Sequence, residues 1–245
     1  METNQCRLCH QSAVLRRSHI IPEFFYKPVY DEKHRARVAD RRTGQFTFQQ
    51  KGHREPLLCD RCEQLLNDRY ERPFKRSWFD DAKLPRVPDF HLDAISGLDY
   101  GPFKLCLLSI LWRASVSQQK TFEQVNLGPH EDPIRLMILM GDPGPPEKYP
   151  FATQILFIEE AETGDPYVVD ALVALPVARR YEAHRGYVFM FGGCAWHFLV
   201  GSFLSEAFRE LALTQTGELP ILWQNLAQIE LVQDFMEQYL TDGQT

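Results

Sequence analysis

Four of the chain's six cysteines stand in two Cys-x-x-Cys pairs, Cys6-Arg-Leu-Cys9 and Cys59-Asp-Arg-Cys62. A two-residue spacer lets both sulfurs of a pair point at the same ion, and two such pairs supply the four thiolates of a tetrahedral zinc site. Cys6, Cys9, Cys59 and Cys62 therefore read as ligands of one structural zinc that organises the N-terminal module. A redox-active dithiol is the weaker alternative, because neither pair follows a strand in a βαβ pattern. Cys106 and Cys194 lie in apolar segments and read as core.

Between the pairs runs Ser18-His19-Ile20-Ile21-Pro22, and Leu57-Leu58 leads into the second pair, which opens a helix. A histidine in apolar surroundings is more often a satisfied core residue than a reagent, so His19 takes its interest from this setting. Cys-x-x-Cys, then His-Ile-Ile-Pro, then Leu-Leu-Cys-x-x-Cys resembles the HNH nucleases, whose ββα-metal site is often stapled by a four-cysteine zinc. The resemblance covers about Cys6 to Arg72 and implies a small treble-clef-like zinc module. It places His19 on the general base that activates water against a phosphodiester. Ser18 falls where the family has a metal-binding aspartate, Arg54 where the middle asparagine is expected, and Glu63 in place of the last histidine, a metal ligand. One of the three signature letters is kept. The family further implies Mg²⁺ or Mn²⁺ as catalytic ion, nucleic acid as partner and, beside an uncharacterised second domain, defence against foreign DNA. The chain is also similar to bacterial proteins that pair such a head with an Ile-Leu-Trp-Arg-Ala-Ser helix, as in Ile110 to Ser115, which implies no role for the second part.

On a helix beginning near Asp60, Glu63, Asn67 and Glu71 recur at every fourth position and share one face. Such a face is either solvated polar surface or a site for a divalent ion, since Mg²⁺ and Mn²⁺ take oxygen ligands; Glu63 and Asn67 are the candidates. The charge distribution bears on partners. Residues 1–90 carry 18 Lys and Arg against 13 Asp and Glu, whereas 91–245 carry 9 against 20, so the net charge of −6 conceals a basic first segment. Arg16, Arg17, Arg41, Arg42 and Arg54 are candidate phosphate contacts.

At 245 residues, with 44% hydrophobic and 24% charged residues, the chain has the composition of an ordinary globular protein with a sizeable core. Met1 to Gln5 is short and polar, and the apolar stretch from Leu105 to Trp112 is too short to span a bilayer, so the expectation is a cytoplasmic protein with no membrane association. Pro85-Arg-Val-Pro88 marks the expected boundary between a zinc module, 1–90, and an α+β domain of unknown role, 91–245, a larger antiparallel sheet packed with helices.

Within the first part, a short helix is expected from Pro22 through Tyr26 and closed by Pro28, with Phe24, Phe25, Tyr26 and Tyr30 as core. Asp31 to Arg54 reads as a hairpin or basic loop, and the helix from Asp60 should end or kink near Arg72 because of Pro73. In the second part, Phe103 to Val116 is apolar on nearly every side and reads as a buried helix, with Arg113 as a salt-bridge partner. Ile134–Met140, Gln154–Ile158, Tyr167–Leu175, Gly186–Phe191 and Cys194–Val200 read as strands, the last two joined by a Gly192-Gly193 hairpin turn. Helices over Ser202–Leu213 and from Pro220 to Tyr239 close the chain. Nothing in this part announces catalysis: His197 reads as structural, Ser202 and Ser205 lack a nucleophile elbow, and Gly141–Pro146 is a turn-rich loop without a phosphate cradle. The two functions consistent with these features are an HNH-like nuclease and an inactive zinc-stapled module that binds nucleic acid or protein, with oligomerisation through the second domain open to either.

Overall fold

The computed structural model describes residues 4–33, 35–39, 46–181, 184–201 and 206–229, with the backbone alone for 36–39, 46–50 and 207. The fold is α+β. β1 (Asn4–Gln5) and β2 (Ser12–Ala13) pair antiparallel around the first cysteine pair. β3 (Leu15–His19) runs on from them. The expected hairpin in Asp31–Arg54 is formed by β4 (Arg35–Ala39) and β5 (Phe46–Gln50), and β6 (Arg54–Cys59) returns antiparallel to β3.

The helix expected after Pro22 is instead two 3₁₀ turns, Glu23–Phe25 and Lys27–Val29, with Pro28 inside the second. Pro28 has no N–H to offer the carbonyl four residues back, so an α-helical ladder cannot propagate through it. Phe25 and Tyr26 are buried there, while Phe24 and Tyr30 pack at the margin of the core.

α1 (Asp60–Leu66) follows Cys59 directly, and the helix does not stop near Arg72. It continues through a π turn, Asn67–Glu71, into α2 (Arg72–Lys75) and a second π turn, Arg76–Asp80. Pro73 removes one donor from the ladder, and the turn before it opens to longer bonds, the Arg72 N–H reaching the Asn67 carbonyl. Leu66, Tyr70, Phe74 and Trp78, each four residues from the last, are all buried, and this stripe keeps the helix in register beyond the proline.

β7 (Ala94–Ile95) precedes α3 (Tyr100–Val116), whose residues from Phe103 to Ala114 are buried on every side. Lys104 on α3 donates to the Pro145 carbonyl at 2.7 Å and to the Tyr100 hydroxyl at 3.0 Å, which pins the Gly141–Pro146 loop; burial lowers its pKa to about 8. Ile134–Met140, read as a strand, belongs to α4 (Glu131–Met140). Its buried residues Ile134, Met137 and Ile138 have the spacing of a helix face, Glu131 and Asp132 favour its first turn, and Gly141 ends it in the left-handed region at φ 75°.

The sheet comprises β8 (Phe151–Glu159), β9 (Pro166–Val168), β10 (Ala174–Tyr181), β11 (His184–Phe191), β12 (Cys194–Val200) and, after α5 (Glu206–Glu210), β13 (Leu219–Asn225). Strand order is β10-β11-β12-β8-β13-β7, with β9 beside the end of β8. All pairs are antiparallel except β13 with β8. Gly192 and Gly193 turn between β11 and β12 with φ of 59° and 81°, as the expected hairpin requires. The expected strand Tyr167–Leu175 is split between β9 and β10, and of the helix expected over Ser202–Leu213 only Glu206–Glu210 is helical, with 202–205 outside the described residues. The start of the expected closing helix is β13. Leu219, opposite β7, and Ile221, beside β8, alternate into the core, and the period of two prevails there; 230–245 lie outside the described residues.

One contiguous apolar cluster takes residues from both sides of Pro85–Pro88. Phe74 stacks on Phe103 with ring centroids 4.4 Å apart, Phe25 meets Phe191 at 4.5 Å, and Trp78 meets Trp196 at 5.5 Å. The Trp78 indole N–H donates to the Gly192 carbonyl at 2.9 Å, so the largest side chain of the helix is both packed and satisfied inside the sheet's hairpin. No helix among the described residues is long and apolar enough to cross a membrane.

Candidate metal centre and the cleft beside it

β3 and β6 pair from Leu15 opposite Cys59 to His19 opposite Arg54, and α1 leaves directly from Cys59. The order of knuckle, antiparallel pair and helix is that of a treble clef. It brings Cys59 and Cys62 beside the turn that carries Cys6 and Cys9, and the four sulfurs lie within 4.8 Å of one another. None is in a disulfide. Cys9 Sγ and Cys59 Sγ are 3.8 Å apart, which matches the tetrahedral edge of about 3.8 Å implied by Zn–S bonds of about 2.3 Å. The Cys59 N–H donates to Cys6 Sγ at 3.3 Å. The hydrogen bond between Cys62 and Cys6 lowers the Cys6 thiol and raises that of Cys62, and burial raises that of Cys59, so one thiolate forms at the expense of its neighbours until a cation joins them. Four converging sulfurs are the donor set of a thiophilic ion. From α4, Arg135 donates to the Leu8 carbonyl at 2.7 Å and holds the knuckle against the rest of the protein.

His19 stands at the far end of β3, about 14 Å from the cysteine end by strand rise. Its Nε2 lies 2.9 Å from the Lys51 carbonyl. A carbonyl only accepts, so Nε2 carries the proton and Nδ1 is left as a free base. Burial lowers the pKa of His19, outweighing the Lys51 carbonyl and Glu23, and keeps the ring neutral at pH 7.

His19 lines a cleft of about 530 Å³ together with Glu63, Asn67 and Glu71 from the helix and Glu23 and Lys27 from the 3₁₀ turns. The face read from four-residue spacing is therefore a wall of the cleft and not open surface. Glu63 Oε1 is out of reach of water and has no hydrogen-bond partner. The Asn67 amide nitrogen is held by Asp68 at 2.9 Å, leaving its oxygen as an acceptor. Glu71 is paired: Arg113 Nη1 lies 2.9 Å from its Oε1 and also donates to the His19 carbonyl at 2.7 Å. Burial raises the Glu71 carboxyl, Arg113 opposes this, and Glu63 adds to the rise. Arg113 is thus the salt-bridge partner expected from its place in an apolar helix. Its tie to the His19 backbone is long-range, and the sequence holds no sign of it.

Ser18 does not take the place of a metal-binding aspartate. Adjacent strand residues face opposite ways, so Ser18 points into the core, where its Oγ accepts from the Leu58 N–H at 3.1 Å at the bulge between β3 and β6. Among the described residues the four cysteines are the one group whose ligand atoms converge as tightly as a bound ion requires; those of His19, Glu63 and Glu71 do not. Arg16 is paired with Asp60 at 2.8 Å on the surface, Arg17 is exposed, Arg54 lies across the strand pair from His19, and Arg41 and Arg42 fall outside the described residues. Comparisons of the chain with protein-family models, curated protein sequences and solved structures return no match.

Proposed function

We propose that the protein is a metal-dependent phosphodiesterase acting on nucleic acid, with a structural zinc on Cys6, Cys9, Cys59 and Cys62 and a reaction site in the cleft of His19. The observation that carries the reading is the pairing, in one cleft, of a neutral histidine with a free Nδ1 and a carboxylate oxygen, Glu63 Oε1, that is buried without a donor. A buried carboxylate oxygen without a donor is costly, and a divalent cation would satisfy it. Glu63 and the Asn67 oxygen would hold Mg²⁺ or Mn²⁺, which when bound would offset phosphate charge and stabilise the leaving oxygen. His19 Nδ1 takes a proton from the attacking water while the Lys51 carbonyl keeps the ring in the required tautomer. Lys27, which lines the cleft, and Arg17 and Arg54, close to His19 in sequence and register, would position phosphates.

Purified protein should carry about one zinc per chain by metal analysis, and Cys59→Ser should lose it. Cleavage of single- or double-stranded DNA or RNA with Mg²⁺ or Mn²⁺ should disappear in His19→Ala and weaken in Glu63→Gln, with zinc content unchanged. Wild-type protein that cuts none of these, or a His19→Ala variant that cuts as well as wild type, ends the nuclease reading. One arrangement favours a second reading, a zinc-stapled module that binds nucleic acid or protein without cutting: Arg113 neutralises Glu71, and Ser18 supplies no acid to the cleft.

A further inference from the structure

The face of the sheet turned away from α3 carries a second pocket, of about 690 Å³, remote from the helix cleft. Its floor is apolar, made by Val177, Val188, Met190 and Ala195, and a polar arc closes one side. At the centre of that arc His197 is held at both nitrogens. Gln154 Oε1 lies 2.7 Å from Nε2 and the Tyr181 hydroxyl 2.7 Å from Nδ1. The amide oxygen only accepts, so the ring donates from Nε2 and receives the Tyr181 proton at Nδ1. Burial, and then Arg179, lower His197 to about 4, so it is a fixed neutral strut and no acid or base for chemistry at neutral pH.

This strut commits the oxygen of Gln154 and leaves its NH₂ group to face the pocket. Gln224 has the opposite polarity: its amide nitrogen donates to the Asn225 carbonyl at 3.0 Å, which leaves its oxygen as an acceptor. Gln154 pairs with Leu222 in the parallel ladder, so Gln224 stands one pleat further along on the same face. A donor and an acceptor thus stand on neighbouring strands, diagonal to one another on one face. Arg179 reaches the same pocket from β10, on the face shared by Val177 and Tyr181, whereas the side chain of Arg180, next to it in the strand, leaves from the opposite face. No acidic side chain lines it among the described residues, and the Arg179 guanidinium takes part in no ion pair there. The unneutralised guanidinium of Arg179 beside an apolar floor forms a site for a molecule with a flat apolar body and an anionic end.

We infer that this pocket binds a nucleoside monophosphate, its phosphate on Arg179, its base over Val188 and Met190 and the base edge on Gln154 and Gln224. A base edge carries both an acceptor for the Gln154 amide and a donor for the Gln224 oxygen, and the volume suits a ligand of that size. The inference stands apart from the nuclease reading, since it uses no residue of the helix cleft.

The test is isothermal titration calorimetry on the full chain with AMP, GMP, CMP and UMP, the four corresponding nucleosides, and inorganic phosphate. At least one nucleotide is expected to bind with a Kd below about 1 mM. Its nucleoside and inorganic phosphate should each bind at least about tenfold more weakly, and Arg179→Gln should lose the nucleotide by a similar factor with an unchanged Tm. His19→Ala should bind it as wild type does. The inference is overturned if no nucleotide binds below about 1 mM, if Arg179→Gln retains the affinity, or if inorganic phosphate binds as tightly as the nucleotide. Loss of binding in His19→Ala would place the ligand in the helix cleft and would overturn it equally.

Discussion

Replacing Arg113 with Met isolates the one polar link that ties α3 to both walls of the helix cleft. The arginine side chain is 2% exposed and its partner Glu71 17%. Its guanidinium bonds Glu71 Oε1 at 2.9 Å, the His19 carbonyl at 2.7 Å, and the Ser109 carbonyl and hydroxyl at 3.2 Å each. The two Ser109 bonds are local to the helix, where carbonyl and hydroxyl retain other partners. The loss falls on Glu71 and His19. Stripping one partner from a buried pair leaves an uncompensated charge and costs about 3–5 kcal/mol. For a chain of this length each kcal/mol lowers Tm by about 2–4 °C, so thermal denaturation at pH 8 should show a drop of about 6–20 °C. The cost should depend on pH in a defined sense. Burial raises the Glu71 carboxyl above its unfolded value, and Arg113 opposes that rise. A raised carboxyl holds its proton in the native state after the unfolded chain has released it, so native stability falls as pH climbs from the unfolded value of about 4.3 through the native one. Without Arg113 the rise is larger; the drop in Tm should therefore shrink at pH 4.5, and Glu71→Gln introduced into Arg113→Met should recover most of it at pH 8. An equal drop at both pH values, or no recovery in the double variant, would refute a role for the buried charge.

Gly217→Ala should destabilise by at least about 3 kcal/mol in chemical denaturation, since Gly217 has φ of 78° and an added Cβ would fall on the Leu98 carbonyl oxygen, part of the backbone; a change under about 1 kcal/mol would show that the turn relaxes. His197, lowered to about 4, binds its proton in the unfolded chain before it does so in the native one, so the stability it confers is whole above about pH 6.5 and lost as pH falls towards 4, by about 3 kcal/mol. His197→Gln should flatten that slope between pH 7 and 4.5, and an unaltered slope would count against burial as its cause. A fragment beginning at residue 95 should lack cooperative unfolding and bind a hydrophobic dye, because Phe25, Phe74 and Trp78 cover Phe191, Phe103 and Trp196 in the full chain; a sharp thermal transition in the fragment would show that the sheet keeps a core of its own.

Local sequence determined the features that depend on short-range geometry. The Cys-x-x-Cys spacing named the four cysteines that converge, because a knuckle is built within four residues. Four-residue spacing put Glu63, Asn67 and Glu71 on one wall of the cleft, and apolar residues on nearly every side marked α3 as buried. Gly192-Gly193 announced its hairpin, since few other residues accept two successive positive φ values. Short apolar runs were ambiguous. Ile134–Met140 is a helix because one face of it meets α3, and β13 is a strand because β8 offers it a free edge; an apolar run of seven residues fits either state until its neighbour is known. Pro73 was overridden by the stripe from Leu66 to Trp78, where burial outweighs one missing hydrogen bond. Only the tertiary structure brought Lys51 to His19 and Arg113 to both His19 and Glu71. It also joined the chain on both sides of Pro85–Pro88 in one core. These contacts link residues distant along the chain, and such pairings are decided by the packing of whole elements, which no local pattern encodes.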